Sequence, residues 1–165
     1  MTKMTSAQAA KELRKMLDQH DALLKKEQKA SVFRAAIQED IEDVRPLYDY
    51  GAFQSELAEI EAKIRNLKHA INQFNLTQVV PGFDMTIDQM LVYIPQLTAR
   101  KKKLDHMRSN LPKERITSFS SNFVEYNYSN YDIEQAEADY EKAADELARA
   151  QTALDTVNTT IGFEV

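Results

Sequence analysis

The sequence contains no cysteine, no tryptophan, three glycines and four prolines among its 165 residues. Without cysteine there can be no disulfide, no thiolate-bound zinc or iron–sulfur cluster, and no thiol nucleophile. With three glycines, neither a glycine-rich phosphate-binding loop nor a dinucleotide-binding fingerprint is present. So few turn-forming residues also argue against a β-sandwich or a β-barrel.

The charge balance and the short apolar runs exclude further classes of protein. The chain has 21 Lys+Arg and 26 Asp+Glu, a net charge of −5, which argues against a surface devoted to nucleic acid. The longest mostly apolar stretch, Met90–Pro95, is too short to cross a bilayer. Met1–Ala10 has no apolar segment behind Lys3, so no secretory signal is visible. We expect a cytoplasmic protein with no membrane association and a single helical domain over residues 1–165.

Apolar spacing predicts four helices, at about residues 6–29, 52–74, 86–110 and 131–158. The second helix has the firmest pattern, because its apolar residues alternate steps of four and three over three heptads. Its seam is Phe53, Leu57, Ile60, Ile64, Leu67, Ile71 and Phe74. The last helix carries a large residue every seven positions, at Ile133, Tyr140, Leu147 and Leu154, with small residues three positions later. A weaker stripe in the first helix is Ala9, Leu13, Met16, His20 and Leu23.

The predicted fold class is therefore mainly α, with long antiparallel coiled-coil-like hairpins and a small two-stranded β-ribbon. Residues 32–37 and 116–128 are the predicted strands, since they are rich in β-branched and aromatic residues, and we expect them to pair with each other. Thr5 or Ser6 is the expected cap of the first helix, and Thr86 or Asp84 that of the third. Pro95 predicts a kink or break near Tyr93.

Charge also suggests a packing order for the last two helices. Residues 100–115 hold seven basic and two acidic residues, which gives +5, whereas residues 132–146 hold seven acidic residues and one lysine, which gives −6. Antiparallel packing of these helices brings the opposite charges together. Because an exposed ion pair contributes at most about 1 kcal/mol, this pattern selects a neighbour more than it stabilises the fold.

We find no motif for catalysis, for a cofactor or for a metal. None of the three histidines has Glu three residues before it, and His-x-x-x-His and Gly-x-Ser-x-Gly are both missing. Carboxylates are plentiful, but no spacing singles out a catalytic pair. His20 lies on the apolar stripe, where a hydrogen-bonded histidine in the core or at an oligomer contact is the ordinary interpretation, and a ligand role is the alternative.

Three polar features have both a binding and a structural interpretation. The basic run Arg100, Lys101, Lys102 and Lys103 is a candidate nucleic-acid contact, although such runs are usually solvated or paired with acids, and we expect the stretch around Lys101 to be solvated. Tyr126, Tyr128 and Tyr131 are candidates for stacking on bases, or for half-buried packing. Asn72 and Asn75 are a candidate polar site, or cap the second helix and open the following loop.

The segment from Ile71-Asn72-Gln73-Phe74-Asn75 through the Pro81-Gly82 loop to Thr86-Ile87-Asp88-Gln89 resembles a family of small uncharacterised bacterial proteins. In that family a helix ending Ile-Asn-x-Thr-Asn leads through a glycine loop into a helix opened by Leu-Thr and an acidic residue. Phe74 stands where the family has threonine. The resemblance covers most of residues 10–160 and implies long helical hairpins, a small sheet and self-association. It implies no activity.

The first interpretation of function is therefore a non-catalytic structural or interaction protein that forms a homo-oligomer through its helical seams. The alternative is a nucleic-acid-associated helical protein that uses Arg100–Lys103 and the tyrosines. An enzyme remains conceivable only as a site assembled between subunits.

Overall fold

A computed structural model describes residues 3–116 and 124–165. Within them the chain is mainly helical, with small two-stranded ribbons, which confirms the predicted fold class. The helices are α1 (Ser6–Ala30), α2 (Ile41–Val44), α3 (Tyr50–Thr77), α4 (Ile87–Arg108) and α5 (Ile133–Thr160). The strands are β1 (Lys3–Thr5), β2 (Val79–Val80), β3 (Met85–Thr86), β4 (Lys113–Ile116), β5 (Glu125–Tyr128) and β6 (Gly162–Glu164).

All the ribbons in the described ranges are antiparallel pairs, formed by β1 with β6, β2 with β3, and β4 with β5. The β2–β3 ribbon encloses the Pro81-Gly82 turn. Gly82 has φ of 84° and Asp84 has φ of 46°, so the turn uses the left-handed backbone conformation that glycine, and to a lesser degree aspartate, tolerates.

Side-chain caps fix where the long helices begin. Thr5 and Gln8 form a capping box at the start of α1, and Thr86 and Gln89 form a second one at the start of α4. In each box the threonine hydroxyl accepts a hydrogen bond from the glutamine backbone N–H, and the glutamine side chain accepts one from the threonine backbone. Of the two candidates offered for each cap, the structure uses the threonine.

The chain divides into two compact units, one formed by Met1–Leu76 with Asn158–Val165 and the other by Thr77–Val157. In the first unit α1 and α3 pack antiparallel: Glu27 accepts a hydrogen bond from Gln54 at 2.7 Å, and His20 lies 3.5 Å from Glu61. The core of this unit combines one residue of α1 with the α3 seam. Its buried residues are Ala9, Phe53, Ile60, Ile64, Leu67 and Phe74.

In the second unit α4 and α5 are also antiparallel, because Tyr93 donates a hydrogen bond to Glu146 whereas Arg108 contacts Glu137. Alanines at every seventh position of α5, here Ala136, Ala143 and Ala150, are buried, and such small residues allow a partner helix to approach closely. The other buried residues of the unit are Val80, Ile87, Met90, Leu97, Leu147, Leu154 and Val157.

The predicted pairing of residues 32–37 with 116–128 is wrong. Residues 32–37 form no strand, and the ribbon is instead a local hairpin in which β4 pairs with β5. Residues 117–123 of the second predicted strand lie outside the described residues. The helix α4 continues through Pro95, so the predicted break is not present, although the proline leaves one backbone carbonyl without its usual helical partner.

Candidate interaction surfaces

The predicted stripe of α1 is only partly covered. Ala9 is buried, whereas Leu13, Met16, His20 and Leu23 are half-buried. Beside this stripe lie Leu17 and Leu24, which are 39% and 40% exposed. Since they are seven residues apart, they fall on the same side of the helix. They lie outside the predicted stripe, and their heptad spacing next to Leu13 and His20 is the sequence signal that could have found them.

A second apolar surface lies in the segment between α1 and α3, residues 31–49, which we call the connector. Its exposed large apolar side chains are Val32, Ile37, Ile41, Val44 and Leu47. The connector carries two basic and five acidic residues, so its net charge is −3. The helix α1 carries six basic and four acidic residues, so its net charge is +2. Within the same unit, the connector is therefore acidic and α1 is basic, and both expose apolar side chains.

His20 is hydrogen-bonded at the edge of the α1–α3 contact. Its Nε2 lies 3.5 Å from Glu61 Oε1, and its Nδ1 lies 3.6 Å from Asp21 Oδ1. These two contacts fix the orientation of the ring. This environment supports the hydrogen-bonded interpretation of His20.

An open groove of ≈ 540 Å³ lies between α1 and α3. Its apolar floor includes Met16, Leu23 and Ile60, and its rim includes Lys26 and Lys63. Glu12, Glu56 and Glu59 also line it. Three glutamates and two lysines therefore line the groove, so its charge is mixed.

The opposite charges of α4 and α5 do meet, through Arg108. Its guanidinium donates to Asp105 at 2.9 Å and to Glu137 at 2.8 Å, and it lies 3.7 Å above the ring of Tyr140. The hydrogen bond to Asp105, and to a lesser extent the one to Glu137, raises the pKa of Arg108 above its ordinary value. Arg108 is therefore occupied by intramolecular partners and serves the packing of the two helices.

The basic run Arg100–Lys103 lies on α4, ahead of Arg108. Arg100, Lys102 and Lys103 are exposed, and none forms an ion pair within 4.0 Å in the part of the chain that the structure describes. Lys101, expected to be solvated, is half-buried with its ammonium 5.8 Å from the centre of the Tyr140 ring. Arg100 and Lys103 share a groove with Asp139 and Glu146, which lowers the positive potential on that side of the helix.

The β4–β5 ribbon segregates its residues by face. In the observed register Lys113 is opposite Tyr128, and Arg115 is opposite Tyr126. Because side chains alternate along a strand, these residues share one face of the ribbon and leave the acidic residues on the other. We call this face the cationic–aromatic face; it consists of Lys113, Arg115, Tyr126 and Tyr128. The opposite face consists of Glu114, Ile116, Glu125 and Asn127.

Tyr131, grouped with the other two tyrosines in the sequence, has a different role. Its hydroxyl donates to the Met107 carbonyl at 2.7 Å and accepts from the Asn110 amide at 2.8 Å. Nearby, the Ser129 hydroxyl donates to the Leu111 carbonyl at 2.8 Å. These bonds anchor the base of the ribbon to the end of α4, so Tyr131 holds the ribbon in place rather than contributing to its face.

The remaining candidate residues do not converge on these surfaces. Asn72 is exposed and Asn75 is half-buried, and both lie within α3, which continues to Thr77 rather than ending at them. In the α3 seam Leu57 and Ile71 are half-buried and the other members are buried. In α5 Leu147 and Leu154 are buried, whereas Ile133 and Tyr140 are half-buried.

Over residues 3–116 and 124–165, no group of three or more histidine or carboxylate side chains is arranged to hold a metal ion. In the same ranges, no helix combines the length and the apolar character needed to span a bilayer.

No protein-family model matches the sequence, and no curated protein matches it. The structure is similar to the crystal structure of a functionally unknown conserved protein from Corynebacterium diphtheriae, with a TM-score of 0.58 and 16% sequence identity. The match covers 99% of this chain and 100% of that chain. At this identity the similarity shows the fold alone. It is consistent with the uncharacterised proteins that the sequence resembles.

Proposed function

We propose that this protein is a non-catalytic interaction protein that self-associates, with α1 of one copy packed against the connector of a second copy. The observation that carries the proposal is the poor coverage of α1. This helix has 25 residues and only Ala9 is buried, although all of α1 is described, whereas α3 buries five residues. A surface helix is normally stabilised by burial of its apolar face.

The choice of a second copy as the partner follows from the two surfaces of the first unit. The connector is acidic and exposes apolar side chains, and α1 is basic and exposes Leu17 and Leu24. In a two-fold symmetric dimer each surface contacts its counterpart on the other chain, so both are covered at once. A contiguous exposed apolar surface is typical of a protein–protein contact.

Light scattering on the full chain at micromolar concentration tests the proposal. We expect a mass of at least twice 18.9 kDa. The double substitution Leu17→Lys/Leu24→Lys should shift the mass towards that of the monomer. Gln19→Lys/Ala22→Lys is the matched control, because it adds the same charge to exposed positions of α1 away from the leucines. A monomeric wild type, or a double leucine variant that associates as the wild type does, would contradict the proposal.

Charge reversal tests the identity of the contact. Lys25→Glu in α1 should weaken association, and so should Asp40→Lys in the connector, because each places like charges on the two surfaces. The two substitutions combined should restore part of the lost association if the surfaces face each other. Additive losses in the combined variant would assign the contact to other residues.

A second candidate function is nucleic-acid binding by Arg100–Lys103, favoured by the exposure of Arg100, Lys102 and Lys103. Binding to duplex DNA should then fall steeply with salt concentration, because phosphate contacts release counterions. Lys102→Glu/Lys103→Glu should abolish most of it. Duplex binding that is insensitive to salt, or no binding at low salt, would remove this candidate.

A further inference from the structure

The β4–β5 ribbon exposes every residue of both strands. A two-stranded ribbon with neither face covered gains little from burial and is at best marginally stable by itself. Its sequence is therefore not explained by core packing. The hydrogen bonds of Ser129 to Leu111 and of Tyr131 to Met107 in α4 hold its base in a defined position, so the residues on its faces are presented by an anchored element.

The aromatic side chains of the ribbon are accessible. Tyr128 is 65% exposed and Tyr126 is 40% exposed, and their ring centres lie 6.3 Å apart with an interplanar angle of 50°. Rings buried for packing would be covered by neighbouring side chains. These rings instead leave surface open on which a planar ligand can stack.

One cation of this face, Lys113, lies over the rings. Lys113 Nζ lies 4.1 Å from the centre of the Tyr126 ring and 5.5 Å from that of Tyr128. Neither Lys113 nor Arg115 forms an ion pair within 4.0 Å in the described residues. The acidic residues of the ribbon, Glu114 and Glu125, belong to the opposite face. One face of the Tyr126 ring is thus in contact with Lys113, and the more exposed Tyr128 ring offers the larger open π surface beside this positive charge.

We propose that the cationic–aromatic face binds single-stranded nucleic acid, with bases stacked on the two tyrosines and phosphates bound by Lys113 and Arg115. This ligand class combines flat unpaired bases with regularly spaced negative charge, which is the combination the face is suited to bind. A membrane surface fits less well, because Ile116, the aliphatic residue of β4, lies on the other face. The net charge of −5 opposes binding weakly, since charges beyond about 8 Å are screened at physiological salt.

The inference is independent of self-association. It deepens the second candidate function, since it names the ligand class, but it assigns binding to different residues. The two are therefore separable by mutation. If Lys102→Glu/Lys103→Glu loses binding and the ribbon variants do not, the basic run is the binding site and the ribbon site is overturned. Loss in the ribbon variants alone would support the ribbon site.

The test is the affinity for labelled oligothymidylate, measured by fluorescence anisotropy. The comparison ligands are the duplex of the same strand with its complement and inorganic polyphosphate. We expect oligothymidylate to bind more tightly than either. Tyr126→Ile/Tyr128→Ile keeps strand propensity but removes the rings, and it should weaken binding at least about fivefold for each base that loses its stacking partner. Tyr126→Phe/Tyr128→Phe keeps the rings and should bind nearly as the wild type does.

The salt dependence tests the cations separately. Lys113→Gln/Arg115→Gln should lower the slope of log affinity against log salt by about 1.4, which corresponds to two lost contacts with single-stranded phosphates. Glu114→Gln on the opposite face of the same ribbon is the matched control and should leave the slope unchanged.

A fluorescent reporter makes the test direct, because the chain has no tryptophan. In a Tyr128→Trp variant, oligothymidylate should quench the emission and polyphosphate should not. The proposal is overturned by Tyr→Ile variants that bind as tightly as the wild type, by equal binding of polyphosphate, or by binding only to anionic lipid vesicles.

Discussion

Single residues of the α3 seam carry much of the stability of the first unit. Phe53, Ile60, Ile64, Leu67 and Phe74 are buried at heptad spacing. Each removes apolar surface from water at about 25 cal/mol per Å². The polar contacts between α1 and α3, such as those of Glu27 and His20, lie at the edges of the contact and fix the alignment of the helices rather than the depth of the core.

Truncation of Ile64 tests whether the buried residues of the α3 seam carry this stability. Ile64→Ala should lower the free energy of unfolding by about 2–4 kcal/mol, since it loses buried apolar area and leaves a cavity. The measurement is urea unfolding followed by circular dichroism. Lys68→Ala, at an exposed position one turn further along α3, should change stability by at most about 0.5 kcal/mol. Equal effects of the two substitutions would show that the seam is not the core.

Tyr93 gives the second unit a defined response to alkaline pH. Its hydroxyl donates to Glu146, and this hydrogen bond, together with burial, raises the pKa of Tyr93 above its ordinary value of about 10. The protonated form is thus favoured in the folded state. Its contribution to stability is complete below about pH 10 and is lost as the pH rises through the raised pKa.

Tyr93→Phe should therefore be less stable than the wild type at neutral pH, and the difference should shrink as the pH rises above about 10. Urea midpoints measured across this range in both proteins provide the comparison. Tyr50→Phe, at an exposed tyrosine, should follow the wild type throughout. A constant difference between Tyr93→Phe and the wild type would exclude the hydrogen bond to Glu146 as its source.

At the scale of elements, helix starts are set by short polar motifs. The Thr86–Gln89 box satisfies backbone groups at the start of α4. Thr86→Ala should therefore cost about 1 kcal/mol, and Thr86→Ser should recover most of the loss because it keeps the accepting hydroxyl. Chemical denaturation of the two variants measures both effects. Equal stability of the alanine and serine variants would show that the hydroxyl does not cap the helix.

The long helices could be predicted because burial imposes their period on the sequence. Every member of the α3 seam is buried or half-buried. The partners of the strands could not be predicted. Lys113-Glu-Arg-Ile116 is a charged segment without the β-branched pattern of a strand, whereas Val32–Ile37 has that pattern and is not a strand. A pairing across residues 117–124 closes a much shorter loop than one reaching back to residue 32, and its entropic cost is lower.

The interaction surfaces were predictable only in part. The basic run was visible as a run, but the cationic–aromatic face depends on the register that places Lys113 opposite Tyr128. Residues from both strands contribute to it, and no single segment of the sequence shows it. The strand predicted at residues 32–37 of the connector is wrong, because apolar β-branched residues normally indicate burial, whereas Val32 and Ile37 are exposed.

At the scale of the whole molecule, the boundaries between the two units, after Leu76 and after Val157, fall inside α3 and α5. Because neither boundary falls in a linker, we expect the chain to unfold as the single domain predicted from its sequence. Calorimetry should then give equal calorimetric and van't Hoff enthalpies. Two resolved transitions would mean that the units unfold independently.

Self-association should be linked to folding, because the stripe of α1 is only half-covered within one chain. A partner that binds the folded state alone adds about 2.7 kcal/mol of stability once its concentration exceeds Kd by about a hundredfold. The apparent stability of the protein should consequently depend on its own concentration.

Self-association through α1 is best tested by the melting temperature, measured over about a hundredfold range of protein concentration. We expect a Tm that rises with concentration in the wild type and is constant in Leu17→Lys/Leu24→Lys. A wild-type Tm that does not change with concentration would contradict it.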